Sequence, residues 1–166
     1  MSLTSDHDLV HGIVAKIAVL KAKTMRKLSR CPDAANLLVS IQSLRNQLRD
    51  WYEALPPEAQ LLQLGTDTRI PMKTSIYYVH LLHLGAVMLM FRYCVSGLKS
   101  EGSRSKINEE ERKIAGETLS DGLLAAQQSA RIVSLIRDAS QSVRHCWVTM
   151  YVASQRIGPR RQASTC

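Results

Sequence analysis

Glycine and proline are scarce in this chain of 166 residues, which contains eight glycines and five prolines. The glycines form neither a phosphate-binding loop nor a dinucleotide-binding fingerprint, so the sequence predicts no nucleotide site of either kind. The β-branched residues are scattered among Leu, Ala, Lys and Arg instead of alternating with polar residues, which favours helices over strands. With 45% hydrophobic and 22% charged residues, the chain is expected to form one all-α domain with its own core.

Cysteine is also sparse, and its four copies stand at positions 31, 94, 146 and 166. No two of them have the spacing of metal ligands, so we expect neither a metal site nor a cofactor. The first ten residues, MSLTSDHDLV, begin with acids and lack the basic and then apolar pattern of a secretory signal. We therefore expect an intracellular chain whose thiols are buried or unreactive.

Side chains that could support catalysis are few and incomplete. His80 and His83 share a helical face, and His145 with Cys146 could join them at a metal, but no further ligand completes such a site. Histidines on a Leu-rich helix are typical of packed core residues. A thiol such as Cys94 beside a histidine has no orienting carboxylate and no glycine-rich oxyanion loop. We expect no catalytic residues and no enzyme activity.

Apolar residues recur at helical spacing in five segments, which predicts an irregular all-α domain over residues 1–157. The segments are residues 6–30, 32–55, 72–95, 108–137 and 141–157, and residues 158–166 are expected to be a disordered basic tail. Pro32 is expected to open the second helix and Asn108 to cap the fourth. Gly116 and Gly122 are expected weak points of the fourth helix.

The third segment is apolar nearly all round, which predicts a buried central helix. Its length approaches that of a transmembrane span, but His80, His83 and Arg92 interrupt it, and such groups are costly in hydrocarbon. We therefore expect a core helix and no membrane span. Its apolar residues cover more faces than one neighbouring layer would bury, so we expect an uncovered apolar face and hence a homodimer or a protein partner.

One stretch of the second segment combines an apolar stripe with an abrupt helix stop. Six residues at three- and four-residue steps form the stripe: Leu37, Ile41, Leu44, Leu48, Trp51 and Leu55. Pro56 and Pro57 end the helix because proline cannot continue the hydrogen-bond ladder. The pattern places Trp51 in the core, where we expect its truncation to alanine to cost about 3–5 kcal/mol.

Two short patterns in a fixed order are recognisable. They are Leu44-x3-Leu48-x2-Trp51-x3-Leu55-Pro56 and, after a loop, Leu82-His83-x8-Arg92. This order resembles the fungal-specific transcription factor domain, the helical middle region of fungal zinc-cluster regulators. The resemblance extends less sharply to residues 127–136 and to Cys146-Trp147, and it spans roughly residues 10–155. Gln127 stands where the family commonly has cysteine, and Tyr93 stands where it usually has proline.

The resemblance implies a domain that controls gene expression in the nucleus, for example in secondary metabolism, by binding a protein partner or a small-molecule effector. Its structural anchors would be Trp51, Leu55, Pro56, His83, Arg92 and Trp147. The family reads DNA with six clustered cysteines that hold two zinc ions, and this sequence has no such cluster. The chain would then be the regulatory domain or its later half. The alternatives are a small helical enzyme or accessory protein of a fungal biosynthetic pathway and a truncated product with little activity.

The net charge of +8 is unevenly placed: six basic residues with no acid among them lie within residues 16–30, and three arginines, Arg156, Arg160 and Arg161, lie near the end. Lys16, Lys23, Lys27 and Arg30 share one helical face, named the basic face below. It could contact phosphate, an import receptor or an acidic partner, or it could be a solvated surface opposite the apolar stripe. No aromatic residues interleave with these bases, so we expect at most weak, non-specific nucleic acid binding.

Overall fold

The computed structural model describes residues 3–61, 73–99 and 108–139, and every structural statement below refers to these residues. They form four α-helices: α1 (Leu3–Leu28), α2 (Ala34–Glu53), α3 (Lys73–Leu98) and α4 (Glu109–Ala139), with a short 3-10 helix at Pro57–Ala59. No strand occurs in this part of the chain, and the predicted all-α class is confirmed. The fifth predicted helix, 141–157, and the tail, 158–166, lie outside the described residues.

The start of α2 corrects one predicted boundary. Asp33 is the N-cap, and its two carboxylate oxygens accept hydrogen bonds of 2.8 Å each from the backbone N–H and the side-chain amide of Asn36. The backbone hydrogen bond lowers the pKa of the Asp33 carboxyl below its ordinary value. Pro32 therefore lies before the N-cap and is not the first residue of α2. Aspartate is a strongly preferred N-cap residue because its side chain accepts a hydrogen bond from a backbone N–H of the first turn.

The start of α4 matches the sequence. The side-chain oxygen of Asn108 accepts a hydrogen bond from the backbone N–H of Glu111 at 2.8 Å, and the Glu111 carboxylate accepts one from the backbone N–H of Asn108 at 2.9 Å. This reciprocal pair is a capping box, which satisfies two backbone donors that the helix leaves unpaired. The prediction that Asn108 caps the helix is confirmed.

Helix α3 is central and contacts each of the other three helices. Leu37 of α2 lies against Gly97 of α3, and Trp51 of α2 stacks on His83 of α3, so these two helices run antiparallel. By length and composition α3 could also cross a membrane, with a mean hydropathy of 1.5. The core helix of a packed helical domain meets the same criteria, and eleven residues of α3 are buried among its neighbours.

The expectation of an uncovered apolar face on α3 is wrong. The apolar side chains of α3 are all buried or half-buried, because helices α1, α2 and α4 pack on it. The exposed large apolar residues of the described chain belong to the outer helices instead: Leu9, Val19, Met25, Val39, Leu123, Leu124 and Leu135.

Candidate functional site: a groove between α2 and α4

An open groove runs between α2 and α4, with α3 as its floor, and encloses a volume of about 770 Å³. Its apolar surface comes from Leu48 on α2, from three residues of α3 (Leu84, Val87 and Met90), from Leu124 and Ala125 on α4, and from Leu61. Polar and charged side chains stand around this surface. Concave sites of this size and composition are typical places for small-molecule binding.

A bridge centred on Arg45 joins the two walls of the groove. Its Nη1 atom donates to Glu117 at 2.6 Å and to Gln42 at 3.1 Å, while Nε and Nη2 donate to Asp121 at 3.0 and 2.8 Å. Glu117 and Asp121 can meet the same guanidinium because they are four residues apart on one face of α4. The hydrogen bond from Arg45 lowers the pKa of the Glu117 carboxyl. We call this group the Arg45 bridge.

An aromatic cluster lies at the other end of the groove. The ring of His83 stacks on Trp51 with centroids 5.3 Å apart and lies 5.5 Å from the ring of Tyr52. Burial, and then the charge of nearby His80, lower the pKa of His83 to about 4. The imidazole is therefore neutral at pH 7, so it presents one donor and one acceptor without a charge.

His80 has a structural contact of its own. It is fully buried, and its Nε2–H donates to the carbonyl oxygen of Ala59 at 2.7 Å, which fixes the 3-10 helix against α3. Burial lowers its pKa as well. Its Nδ1 atom has no hydrogen-bond partner among the described residues. No group of three or more potential metal ligands occurs within the described ranges either.

The predicted anchor residues are only partly brought together. Trp51 is half-buried and contacts His83, while Leu55 is 6% exposed in the core. Pro56 is half-buried, and its carbonyl oxygen accepts a hydrogen bond from the backbone N–H of Ala59 at 2.9 Å. Arg92 is exposed and lies more than two turns of α3 beyond His83. Trp147 lies outside the described residues.

The Arg45 bridge was missed by the sequence analysis. Its only sequence signal is the pair of acids four residues apart at 117 and 121, which predicts two carboxylates on one face of a helix. Nothing in the sequence pairs that face with Arg45, which is 76 residues away from Asp121. Only the packing of α2 beside α4 brings these charges together.

The four residues of the basic face are all exposed. Lys23 donates a hydrogen bond of 2.7 Å from Nζ to the side-chain oxygen of Gln47 on α2, which holds one member in place. Lys21, on another side of α1, is partly buried, and burial lowers its pKa. The face is thus accessible along its length and separate from the groove.

Comparison with known proteins gives one similarity that bears on function. Over 139 residues, or 80% of its length, the chain is 29% identical to a protein of Schizosaccharomyces pombe named an uncharacterized transcriptional regulatory protein. No protein-family model matches the chain, and no solved structure matches it. The matched region is 16% of the yeast protein's length, so the chain is similar to a minor part of a transcriptional regulatory protein.

Proposed function

We propose that this chain is a helical regulatory module of the kind found in fungal zinc-cluster transcription regulators, and that it acts in the nucleus through binding rather than catalysis. The observation that carries the proposal is the 139-residue similarity to the yeast transcriptional regulatory protein. Its 166 residues contain no cysteine cluster of the kind with which zinc-cluster regulators read DNA. It therefore reaches promoters through another protein or through a further part of a longer one.

Contact between the two patterns that resemble the fungal domain supports the proposal. The first pattern ends α2, the second lies in α3, and the stacked rings of Trp51 and His83 join them at 5.3 Å. Two sequence patterns that contact each other in the folded chain are consistent with a single structural unit. His83 of this pair also lines the groove, and Trp51 packs on its ring.

A regulatory mechanism follows from the arrangement of the groove walls. A ligand or partner that contacts both α2 and α4 stabilises one spacing of these helices relative to others. Such binding shifts the population of helix arrangements only by its difference in affinity between them. The Arg45 bridge holds the walls in the arrangement described here, and it is the contact that a change in spacing must break.

A tethering experiment tests the regulatory role. The chain is fused to an unrelated sequence-specific DNA-binding module and expressed with a reporter that carries the matching site. We expect the fusion to change reporter expression relative to the DNA-binding module alone, because the module recruits or excludes other regulators. The control is a fusion with an unrelated helical protein of similar size.

Co-purification provides the second measurement, and it addresses the partner. The tagged chain, isolated from nuclei, is expected to bring down a DNA-binding protein. A fusion that leaves the reporter unchanged, together with a chain that stays outside the nucleus and retains no DNA-binding protein, would contradict the proposal.

A further inference from the structure

We infer that the groove between α2 and α4 binds a neutral, largely apolar small molecule with one hydrogen-bonding group. The volume of about 770 Å³ lies within the range of sites that enclose such a molecule. The occupant is a small molecule in preference to a protein segment because the groove has two distinct ends, a charged bridge and an aromatic cluster, within this limited volume.

The apolar floor of the groove indicates that most of the ligand's contact surface is apolar. Leu84, Val87 and Met90 stand one after another along α3, and Leu124 faces them from α4 with 53% of its surface exposed. Leu84 and Met90 are already buried, at 4% and 1% exposure, so the apolar surface that a ligand removes from water lies mainly on Leu124 and on the half-buried Val87. Each Å² of apolar surface covered there favours binding by about 25 cal/mol.

The charges at the rim select against ions. Two guanidinium groups, Arg45 and Arg49, stand there with three carboxylates, Glu53, Glu117 and Asp121. Because Arg45 is already bound to two of the carboxylates, an anion gains little from it and meets net negative charge. A cation would lose its hydration over an apolar floor that offers no buried counter-charge, which is costly. A neutral molecule avoids both penalties.

Neutral polar side chains provide the hydrogen bonds for this ligand. His83 lines the groove with an uncharged imidazole, and Asn46 and Gln128 line its walls. Within the described residues, none of these three side chains makes a hydrogen bond, so their donors and acceptors remain open to a ligand. A site built in this way fixes the orientation of a neutral molecule through a few polar contacts and gains affinity from apolar contact.

A matched set of three fluorescent probes tests the inference. The probes are 1-pyrenemethanol, 1-pyrenecarboxylate and 1-pyrenemethylammonium, which share one ring system and differ in charge. Each probe is held at low concentration while the full chain is titrated, and binding is measured by fluorescence anisotropy. We expect the neutral probe to bind with a Kd on the order of tens of micromolar, and the two charged probes to bind at least about tenfold more weakly.

Two adjacent leucines provide a matched pair of variants that locates the site. Leu124 lines the groove, whereas Leu123 is 62% exposed outside it. Leu124→Asp is expected to weaken binding of the neutral probe about fivefold or more, because it replaces apolar contact with a charge. Leu123→Asp is expected to leave binding unchanged. Both positions are exposed enough for the variants to fold, which circular dichroism checks.

Three results would overturn the inference: no binding of the neutral probe, equal binding of all three probes, or equal weakening by both variants. The regulatory consequence of binding rests on the proposed function, but the binding itself does not. A chain that binds the neutral probe, but leaves the tethered reporter unchanged, stays outside the nucleus and retains no DNA-binding protein, would contradict the regulatory role alone. A chain that changes the reporter but binds none of the probes would contradict only the ligand site.

Discussion

Gly122 of α4 packs closely against Phe91 of α3. A Cβ atom built there would lie 2.5 Å from Cβ, Cγ and Cδ2 of Phe91, a distance at which one of the two helices must shift. The Phe91 Cβ is attached directly to the backbone, so a change of rotamer cannot remove this clash. Gly122→Ala should therefore destabilise the domain, although alanine is the better helix former.

The magnitude follows from two opposing terms. Replacing glycine with alanine inside a helix stabilises it by about 0.5–1 kcal/mol, whereas overpacking a core costs about 1–3 kcal/mol. With a contact as short as 2.5 Å to a backbone-attached atom, we expect the upper part of the second range and a net loss of about 1–2 kcal/mol. In a domain of this size, such a loss lowers the Tm by roughly 2–8 °C.

Gly116 provides the control on the same helix. A Cβ atom built at Gly116 has no neighbouring heavy atom within 4 Å, so an alanine there causes no clash. Gly116→Ala should therefore stabilise the domain by about 0.5–1 kcal/mol, because alanine forms helices better than glycine does. Urea unfolding of both variants, followed by circular dichroism, measures the difference. If Gly122→Ala is as stable as Gly116→Ala, the close packing of α4 on α3 described here is incorrect.

Four further predictions concern the core, the groove and the basic face. Trp51→Ala should lower the free energy of unfolding by about 2–3 kcal/mol, less than for a fully buried tryptophan, because Trp51 is only partly buried; a thermal melt within a few degrees of the parent would contradict its packing. The pKa of His83 falls from 6.5 to about 4 on folding, so between these pH values the unfolded chain binds a proton that the folded chain does not. The free energy of unfolding, measured with urea, should therefore be highest above pH 6.5 and decline toward pH 4, and His83→Gln should reduce this decline. Arg45→Met should lower the free energy of unfolding by about 1–2 kcal/mol, whereas Arg112→Met, at an exposed ion pair within one helix, should lower it by at most about 0.5 kcal/mol. Equal losses in the two variants would show that the Arg45 bridge does not stabilise the domain. The isolated chain should bind DNA weakly through the basic face, without sequence preference and with steep loss at higher salt, and nanomolar, selective binding in an anisotropy titration would refute this.

Features that depend on local sequence were predictable. The capping box at Asn108 and Glu111 could be read directly, because both residues stand within one turn. The stripe of α2 predicted its buried leucines, since helical periodicity fixes which residues share a face. The start of α2 was displaced because two adjacent residues, Pro32 and Asp33, each give a start signal, and periodicity does not rank them.

Features that depend on packing between helices were not predictable in the same way. The sequence shows that α3 is apolar all round, but not that three helices cover it, so the predicted exposed face was wrong. Gly122 was expected to be a weak point, whereas the structure gives it a steric role against Phe91. The groove was invisible because its walls come from α2 and α4, and a single sequence carries no signal for their spacing.

The Arg45 bridge connects stability to binding at the groove. Arg45 is 19% exposed, while its partners Glu117 and Asp121 are 42% and 45% exposed, so water reaches the carboxylates and weakens the bridge relative to a buried ion pair. A contact of modest strength can be exchanged for ligand contacts at a small cost in free energy. A fully buried bridge would hold the walls more rigidly, in addition to the direct packing of α2 on α4. The half-exposed carboxylates therefore fix the spacing of α2 and α4 less firmly than a fully buried ion pair would.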